Sequence, residues 1–365
     1  MATKPPFRAD HVGSLLRPHA LREARDKADA GQLDRGKLRN FEDDAIRNAV
    51  KMQEDAGLHA VTDGEMRRKS WQSDFVESIK GAAMRAPKVK PKPGEFVPRE
   101  LVIEGRLQHA KSIEADNFKF LKSVTRHTPK LSMPSPTILL RGGREHTDAK
   151  AYPDLDKLDA DAAAVYRDEL KALGAAGCTY VTLDDTNLAY LCDPKQRAVW
   201  KERGYDPDTL PLRFAHLINE SIKHRPAAMA ACVHLCRGNF QSRWAAEGGY
   251  DPIAEVLFGE IDVDGYFLEY DTERAGGFEP LRYLPKEKKA VLGIVSSKIG
   301  ALESKDELKR RIDQAAKFAP LENLCLSPQC GFASSYLGNL LTEDDQKKKL
   351  ARVAEVAREV WGTVE

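Results

Sequence analysis

The chain has 365 residues, 42% of them hydrophobic, and a formal net charge of +1. That length and apolar content allow one large domain or two modest ones with a proper core, and the near balance of charge argues against a nucleic-acid-binding face. The opening MATKPPFRADHVGSLLRP has no apolar stretch of signal-peptide length and no segment approaches a membrane span, so a soluble cytoplasmic protein is expected, with neither membrane nor nucleic acid as partner.

Short apolar runs alternate with charged amphipathic stretches along the chain, the pattern of a parallel sheet covered by helices. FRADHVGS opens the series, and a helical region rich in Arg, Lys, Asp and Glu follows from about His19 to Ala56. The later strand-like runs are HAVTDGE, KLSMPSPTILL, CTYVTLDD, AAMAACVHLC, GYFLEYD, KAVLGIVSSK and ENLCLSPQC. Asp154 to Leu173 carries apolar residues at helical spacing, SKDELKRRIDQAAKF opens with Ser304 and Glu307 spaced as a capping box, and TEDDQKKKLARVAEVAREVWG reads as the last helix. Eight such units with no linker predict one α/β domain over 1–365, a (β/α)8 barrel with an amino-terminal helical extension. An open doubly wound sheet is the alternative, but there is no Gly-x-Gly-x-x-Gly turn after the first strand and no phosphate loop. Residues 85–110, rich in Pro and Lys before an alternating apolar run, read either as a hairpin inserted over the barrel mouth or as a solvated surface loop.

In a barrel, the side chains at the carboxyl ends of different strands converge on one mouth. His234, Cys236, Glu269 and Cys330 each close one of the apolar runs. On a strand, the i, i+2 spacing of His234 and Cys236 aims imidazole and sulfur at one side, whereas a helix would point them apart. Taken alone, each cysteine is as well read as a buried thiol and the histidine as a satisfied one. As a set of up to four ligands they suit zinc, which takes thiolate, imidazole and carboxylate. The six cysteines, Cys178, Cys192, Cys232, Cys236, Cys325 and Cys330, are spread through apolar runs and suit reduced thiols and metal ligation better than a disulfide framework.

The motifs HVGSLLRP, TDGE, HLC followed by RGNF, FLEYD and SPQCGF, in this order, resemble the catalytic domain of cobalamin-independent methionine synthase, above all its short stand-alone members. The resemblance covers nearly the whole chain. It implies a barrel, zinc ligands at His234, Cys236, Glu269 and Cys330, and homocysteine-holding residues at Ser14, Glu65 and Asp184. Two carboxylates at a barrel mouth suit an ammonium group; solvated loop charges or helix caps are the other reading. Asp63 and Asp185 neighbour them and are candidates for the same part. His11, beside the first strand, is a further substrate-binding candidate or a hydrogen-bonded structural residue.

The implied reaction follows from what zinc does to sulfur: it ionises a thiol near neutral pH and holds the thiolate for attack. Transfer of a methyl group to a thiol is expected, homocysteine giving methionine, with Glu269 leaving the metal as the thiol arrives. The chain departs from the family in two respects. The sequence accounts for one barrel where full-length synthases have a second that helps to bind folate. Lys298 stands where the family has a histidine that acts as an acid in methyl transfer; a lysine there can donate a proton or bind an anion. The donor is therefore open between methyltetrahydrofolate, a corrinoid-bound methyl and another small donor. A relative of the epoxide:coenzyme M transferases is the rival enzyme reading, and its sulfonate thiol would want Arg17, Arg67, Arg68 or Arg237. A non-catalytic zinc or thiol-binding protein is the rival from another class. Trp71 reads as a barrel cap or a stacking surface for a flat donor, and surface helices carrying Leu and Val leave a homodimer open.

Overall fold

The structure, a computed structural model, describes residues 4–86 and 99–365. Its strands are β1 (Ala60–Val61), β2 (Lys80–Arg85), β3 (Glu100–Gln108), β4 (Thr128–Pro129), β5 (Leu131–Pro134), β6 (Tyr180–Asp185), β7 (Ala230–Leu235), β8 (Gly265–Glu269), β9 (Lys289–Val295) and β10 (Leu324–Pro328). β5 to β10 form one parallel sheet in sequence order, with helices between them. Both faces of these strands are covered, and every residue of β6, β7 and β8 is buried. That double burial is why they read as continuous apolar runs rather than alternating ones.

The remaining staves of the barrel are short. Ala9 bridges Leu326 of β10 in parallel, with Asp10 N–H donating to the Leu326 carbonyl at 3.0 Å. β1 pairs with β4, and Lys130 N–H donates to the Val61 carbonyl at 2.8 Å, which ties β1 to the start of β5. Among the described residues no strand ladder joins the segment around Ala9 to β1. That seam is bridged by the Thr62 hydroxyl, which donates to the Gly13 carbonyl at 2.6 Å, and by Leu15 N–H, which donates to the Gly64 carbonyl at 3.1 Å. The architecture is the expected (β/α)8 barrel, with no strand ladder among the described residues to close it at this seam.

A buried ion pair reinforces the same region from inside. Lys130 and Asp10 are both 0% exposed and 2.9 Å apart. Tyr180 O–H donates to the second Asp10 oxygen at 2.7 Å, and the Lys130 ammonium lies 4.0 Å from the Phe267 ring centroid. Three staves are thus tied across the interior by one cation.

The charged region from His19 is two helices, His19–Asp29 and Arg35–Asp55. Gly31, at φ +73°, takes the left-handed turn between them, and Asp34 caps the second by accepting from Gly36 N–H at 2.7 Å. The helix read from Asp154 runs Asp156–Ala175. At Ser304 half of the expected capping box forms, because the Glu307 carboxylate turns to Arg310 instead; the reciprocal box is at Thr342 and Asp345, opening the final helix Glu343–Trp361. The predicted insertion is an antiparallel hairpin of β2 and β3, whose tip, residues 87–98, lies outside the described residues. Met84 and Leu101 from its arms line the cavity at the barrel mouth.

Removing one partner of a buried ion pair strands the other charge in low dielectric, at about 3–5 kcal/mol. Asp10→Asn is expected to lower the unfolding free energy measured in urea by that amount, through a lower midpoint at unchanged slope; an unaltered midpoint would mean that Lys130 is solvated in solution.

Candidate metal centre

His234 is the fifth residue of β7, Cys236 follows that strand, Glu269 ends β8 and Cys330 lies two residues past β10. One donor atom from each lies within 4.8 Å of every other. The Cys236 and Cys330 sulfurs are 3.2 Å apart, well beyond the roughly 2.05 Å of a disulfide, and all six cysteines are free. Glu269 accepts from Arg237 N–H at 3.0 Å with one oxygen and from Arg274 at 3.0 Å with the other. These bonds fix the carboxylate and leave it lone pairs to spare.

The fit to a cation rests on His234. The residue is 1% exposed, yet neither ring nitrogen has a hydrogen-bond partner, which is costly for a buried imidazole unless something else takes its lone pair. Two sulfurs, a carboxylate oxygen and this orphaned nitrogen are the donor types of a zinc site. Their mutual electrostatics point the same way. The hydrogen bond from Cys330, opposed by burial and helped by His234, lowers the Cys236 thiol to about 6, while that bond and burial push Cys330 well up. Burial disfavours the charged Glu269, but Lys298, Arg274 and Arg237 outweigh it and hold the carboxyl below its usual range.

The centre opens into a cavity of about 1210 Å³ at the mouth, lined by Ser14, Glu65, Trp71, Asp184, His234, Cys236 and Cys330 among others. The TDGE motif is a turn: Asp63 accepts from Glu65 N–H at 2.8 Å, and Gly64 and Glu65 both have positive φ, +65° and +58°. Left-handed backbone at a glutamate costs about 1–3 kcal/mol and is held here by its partners. Arg68 reaches Glu65 at 3.2 Å and Arg17 reaches it at 3.5 Å. Arg68 is in turn held by Glu114 at 3.1 Å. Asp184 is different. Its Oδ1 is buried without a partner, and desolvation, with the charges of Glu65 and Cys236, pushes its carboxyl up to about 7. Ser14 sits against Gly331, where a Cβ would lie 1.9 Å from the serine hydroxyl oxygen.

Lys298, 6% exposed, has no hydrogen-bond partner for its ammonium and acts electrostatically on both Glu269 and Cys330. His11 is 1% exposed and is not among the residues lining the cavity; burial, with Lys130 nearby, lowers it to about 4. Asp63 belongs to the turn just described, and Asp185 accepts from the Thr137 hydroxyl at 2.6 Å and from Leu188 N–H at 2.7 Å. The arginines weighed as anion partners are engaged elsewhere: Arg17 and Arg68 on Glu65, Arg67 on Asp43 at 2.8 Å, and Arg237 on Tyr250 at 2.8 Å. Sequence reasoning missed Glu114 and Arg274, which lie in charged stretches with no motif around them.

Fold and site together define a barrel with a cation-competent Cys/His/Glu centre at the carboxyl ends of its strands. A model of the cobalamin-independent synthase catalytic domain matches residues 7–358. The uncharacterized protein YxjH of Bacillus subtilis (strain 168) is 43% identical over 362 residues, 98% of this chain and 96% of that one. The methionine synthase of Saccharolobus solfataricus is 24% identical over 324 residues, 88% of this chain and 86% of its own. A candidate vitamin-B12 independent methionine synthase from Listeria monocytogenes, 36% identical, superposes with a TM-score of 0.80 over 99% of both chains. A B12-independent methionine synthase from Shewanella sp. W3-18-1, solved in complex with selenomethionine, has a TM-score of 0.75 over 97% of both chains at 19% identity, a likeness of fold. The chain belongs to the cobalamin-independent synthase catalytic-domain family. No helix among its described residues is long and apolar enough to cross a membrane.

In the metal-free protein, carboxamidomethylation of Cys236 is expected to rise with a midpoint near the value of about 6 set by Cys330 and His234. A midpoint at the ordinary thiol value would contradict this coupling.

Proposed function

We propose that the protein is a zinc-dependent methyltransferase that converts homocysteine to methionine, using methyltetrahydrofolate or another small methyl donor. The observation that carries this reading is the buried, unpartnered imidazole of His234 beside two thiols and a carboxylate at the mouth of a barrel of this family. His234, Cys236, Glu269 and Cys330 would hold the ion. Zinc bound there supplies the charge that ionises an incoming thiol near neutral pH.

The chain's own residues do the rest. Three anionic donors outweigh a dication, so the substrate sulfur keeps its electron density, which favours alkylation over Lewis-acid hydrolysis. The sulfur forms a bond to the methyl carbon as the bond from methyl to donor breaks. The electron pair stays with the donor, which takes up a proton. Lys298, beside Glu269 and Cys330, is a proton source for that step and offsets the anionic ligand set.

Asp184 is the better ammonium partner of the two carboxylates. Burial disfavours the charge of both, but Glu65 already has Arg17 and Arg68, whereas the buried Oδ1 of Asp184 is free for an arriving cation. Ser14, against Gly331, is the hydroxyl available to the amino-acid end of the substrate. His11 has no part in this reading. The four arginines weighed as partners for a sulfonate thiol, Arg17, Arg67, Arg68 and Arg237, are all engaged by protein groups. A purely structural clamp is disfavoured by the large cavity that opens onto three of the four ligands.

The test is a panel of thiols crossed with methyltetrahydrofolate, methylcobalamin and small alkyl donors. Cys330→Ala is expected to lose most bound zinc and all transfer; full activity in that variant would remove the metal from the reaction. Asp184→Asn is expected to keep its zinc and to raise the KM for homocysteine about tenfold or more, the worth of a charge-assisted hydrogen bond. An unchanged KM would exclude Asp184 as the ammonium partner.

A further inference from the structure

We propose that Arg141 and Arg203 form an anion-binding subsite in the wall of the mouth cavity, taking a carboxylate or phosphate of the molecule that supplies the methyl group. The proposal rests on the transferase reading for what the ligand is, but not for the subsite itself.

Arg141 follows the 3-10 turn Pro136–Leu140 after β5, and Arg203 follows the helix Pro194–Glu202. The two turns are pressed together by their backbones. Gly143 has φ +65°, and a Cβ there would lie 2.9 Å from the Arg203 carbonyl oxygen and 3.0 Å from the Arg203 Cβ. Tyr205 O–H donates to the Leu140 carbonyl at 3.3 Å and closes the other side. The turns that carry the two arginines are therefore packed together by the fold, and both side chains line the same cavity wall. Each guanidinium lies over a ring, Arg141 5.2 Å from the Tyr190 centroid and Arg203 5.4 Å from that of Trp200.

Neither guanidinium has a carboxylate within 4.0 Å among the described residues. Burial and the like charge of Arg141 hold Arg203 below its ordinary range, and Glu202 opposes this less strongly than Arg141 promotes it. Glu145 and Glu202 also line the cavity, so its wall is not uniformly basic. Two half-buried arginines that repel each other are relieved by an anion shared between them, and the planar guanidinium fork matches carboxylate and phosphate. Tyr190 links this subsite to the metal centre: it is buried, Arg141 lies over its ring, and it feels the charges of Cys236 and Glu269. One molecule can thus present its reacting carbon to the centre while its anionic end meets the arginines.

The experiment is calorimetric titration of the zinc-loaded full chain, without thiol, with glutarate and separately with inorganic phosphate. At least one anion is expected to bind, and its identity distinguishes a carboxylate donor from a phosphorylated one. Arg141→Gln and Arg203→Gln are each expected to weaken that binding about tenfold, with homocysteine affinity unchanged. No binding of either anion, or variants that bind like the wild type, would overturn the subsite. Should a variant fail to fold, modification of the wild-type protein by phenylglyoxal decides: the bound anion is expected to protect Arg141 and Arg203, and equal modification with and without it refutes the proposal. Anion binding in a protein that methylates no thiol refutes the transferase reading alone; methyl transfer with no anion binding refutes the subsite alone.

Discussion

The approach of two sulfurs from non-adjacent strands is the constraint on which the rest of the structure depends. β8 and β9 separate β7 from β10 in the sheet, yet Cys236 and Cys330 are 3.2 Å apart. Only a sheet curved into a barrel brings those two strand ends together. The curvature in turn requires the amino-terminal segment to seat beside β10, which Ala9 does by backbone bonding and which Asp10 secures through Lys130 in the interior. A buried ion pair that does not itself line the cavity therefore supports the geometry of the Cys/His/Glu cluster. With Glu269 within 4.8 Å of a sulfur pair of which Cys236 ionises readily, the cluster gathers negative charge that low dielectric penalises until a cation is bound.

The two carboxylates at the mouth are treated differently by the chain. Glu65 sits on a strained turn and is braced by Arg68, which Glu114 braces from behind, so its position is fixed before any ligand arrives. Asp184 ends its strand region beside His234, with one oxygen unpaired and its charge suppressed. Burial raises both carboxyls, so the difference lies in partners: a carboxylate braced by arginines shapes a pocket, and one with a free oxygen recognises charge. The same contrast separates the arginines: Arg17 and Arg68 are paired with Glu65, whereas Arg141 and Arg203 line the cavity with no carboxylate partner among the described residues.

Much of the centre was legible in the sequence because its residues are tied to strand periodicity. The two-residue spacing of His234 and Cys236 survives even though Cys236 falls just past the end of β7, since Cys236 N–H still donates to the Asp185 carbonyl of the neighbouring strand at 2.7 Å. Glu269 and Cys330 were legible as the terminal residues of fully buried runs. What was not legible depends on distance. Arg68 and Glu114 meet across 46 positions of sequence, a pairing that no local pattern encodes. The short staves around Ala9 and Ala60 read as full strands because apolar composition reports burial, not backbone pairing. The helical region from His19 read as continuous because its charge pattern carries across Gly31, whereas the left-handed backbone there ends the first helix.

The central claim is that four protein donors surround a cation that accepts a visiting sulfur. Zinc K-edge X-ray absorption of the loaded protein, with and without homocysteine, measures this directly. The account predicts two sulfur scatterers in the resting protein, from Cys236 and Cys330, and one more when the thiol is added. A sulfur count that stays the same at saturating homocysteine would contradict it.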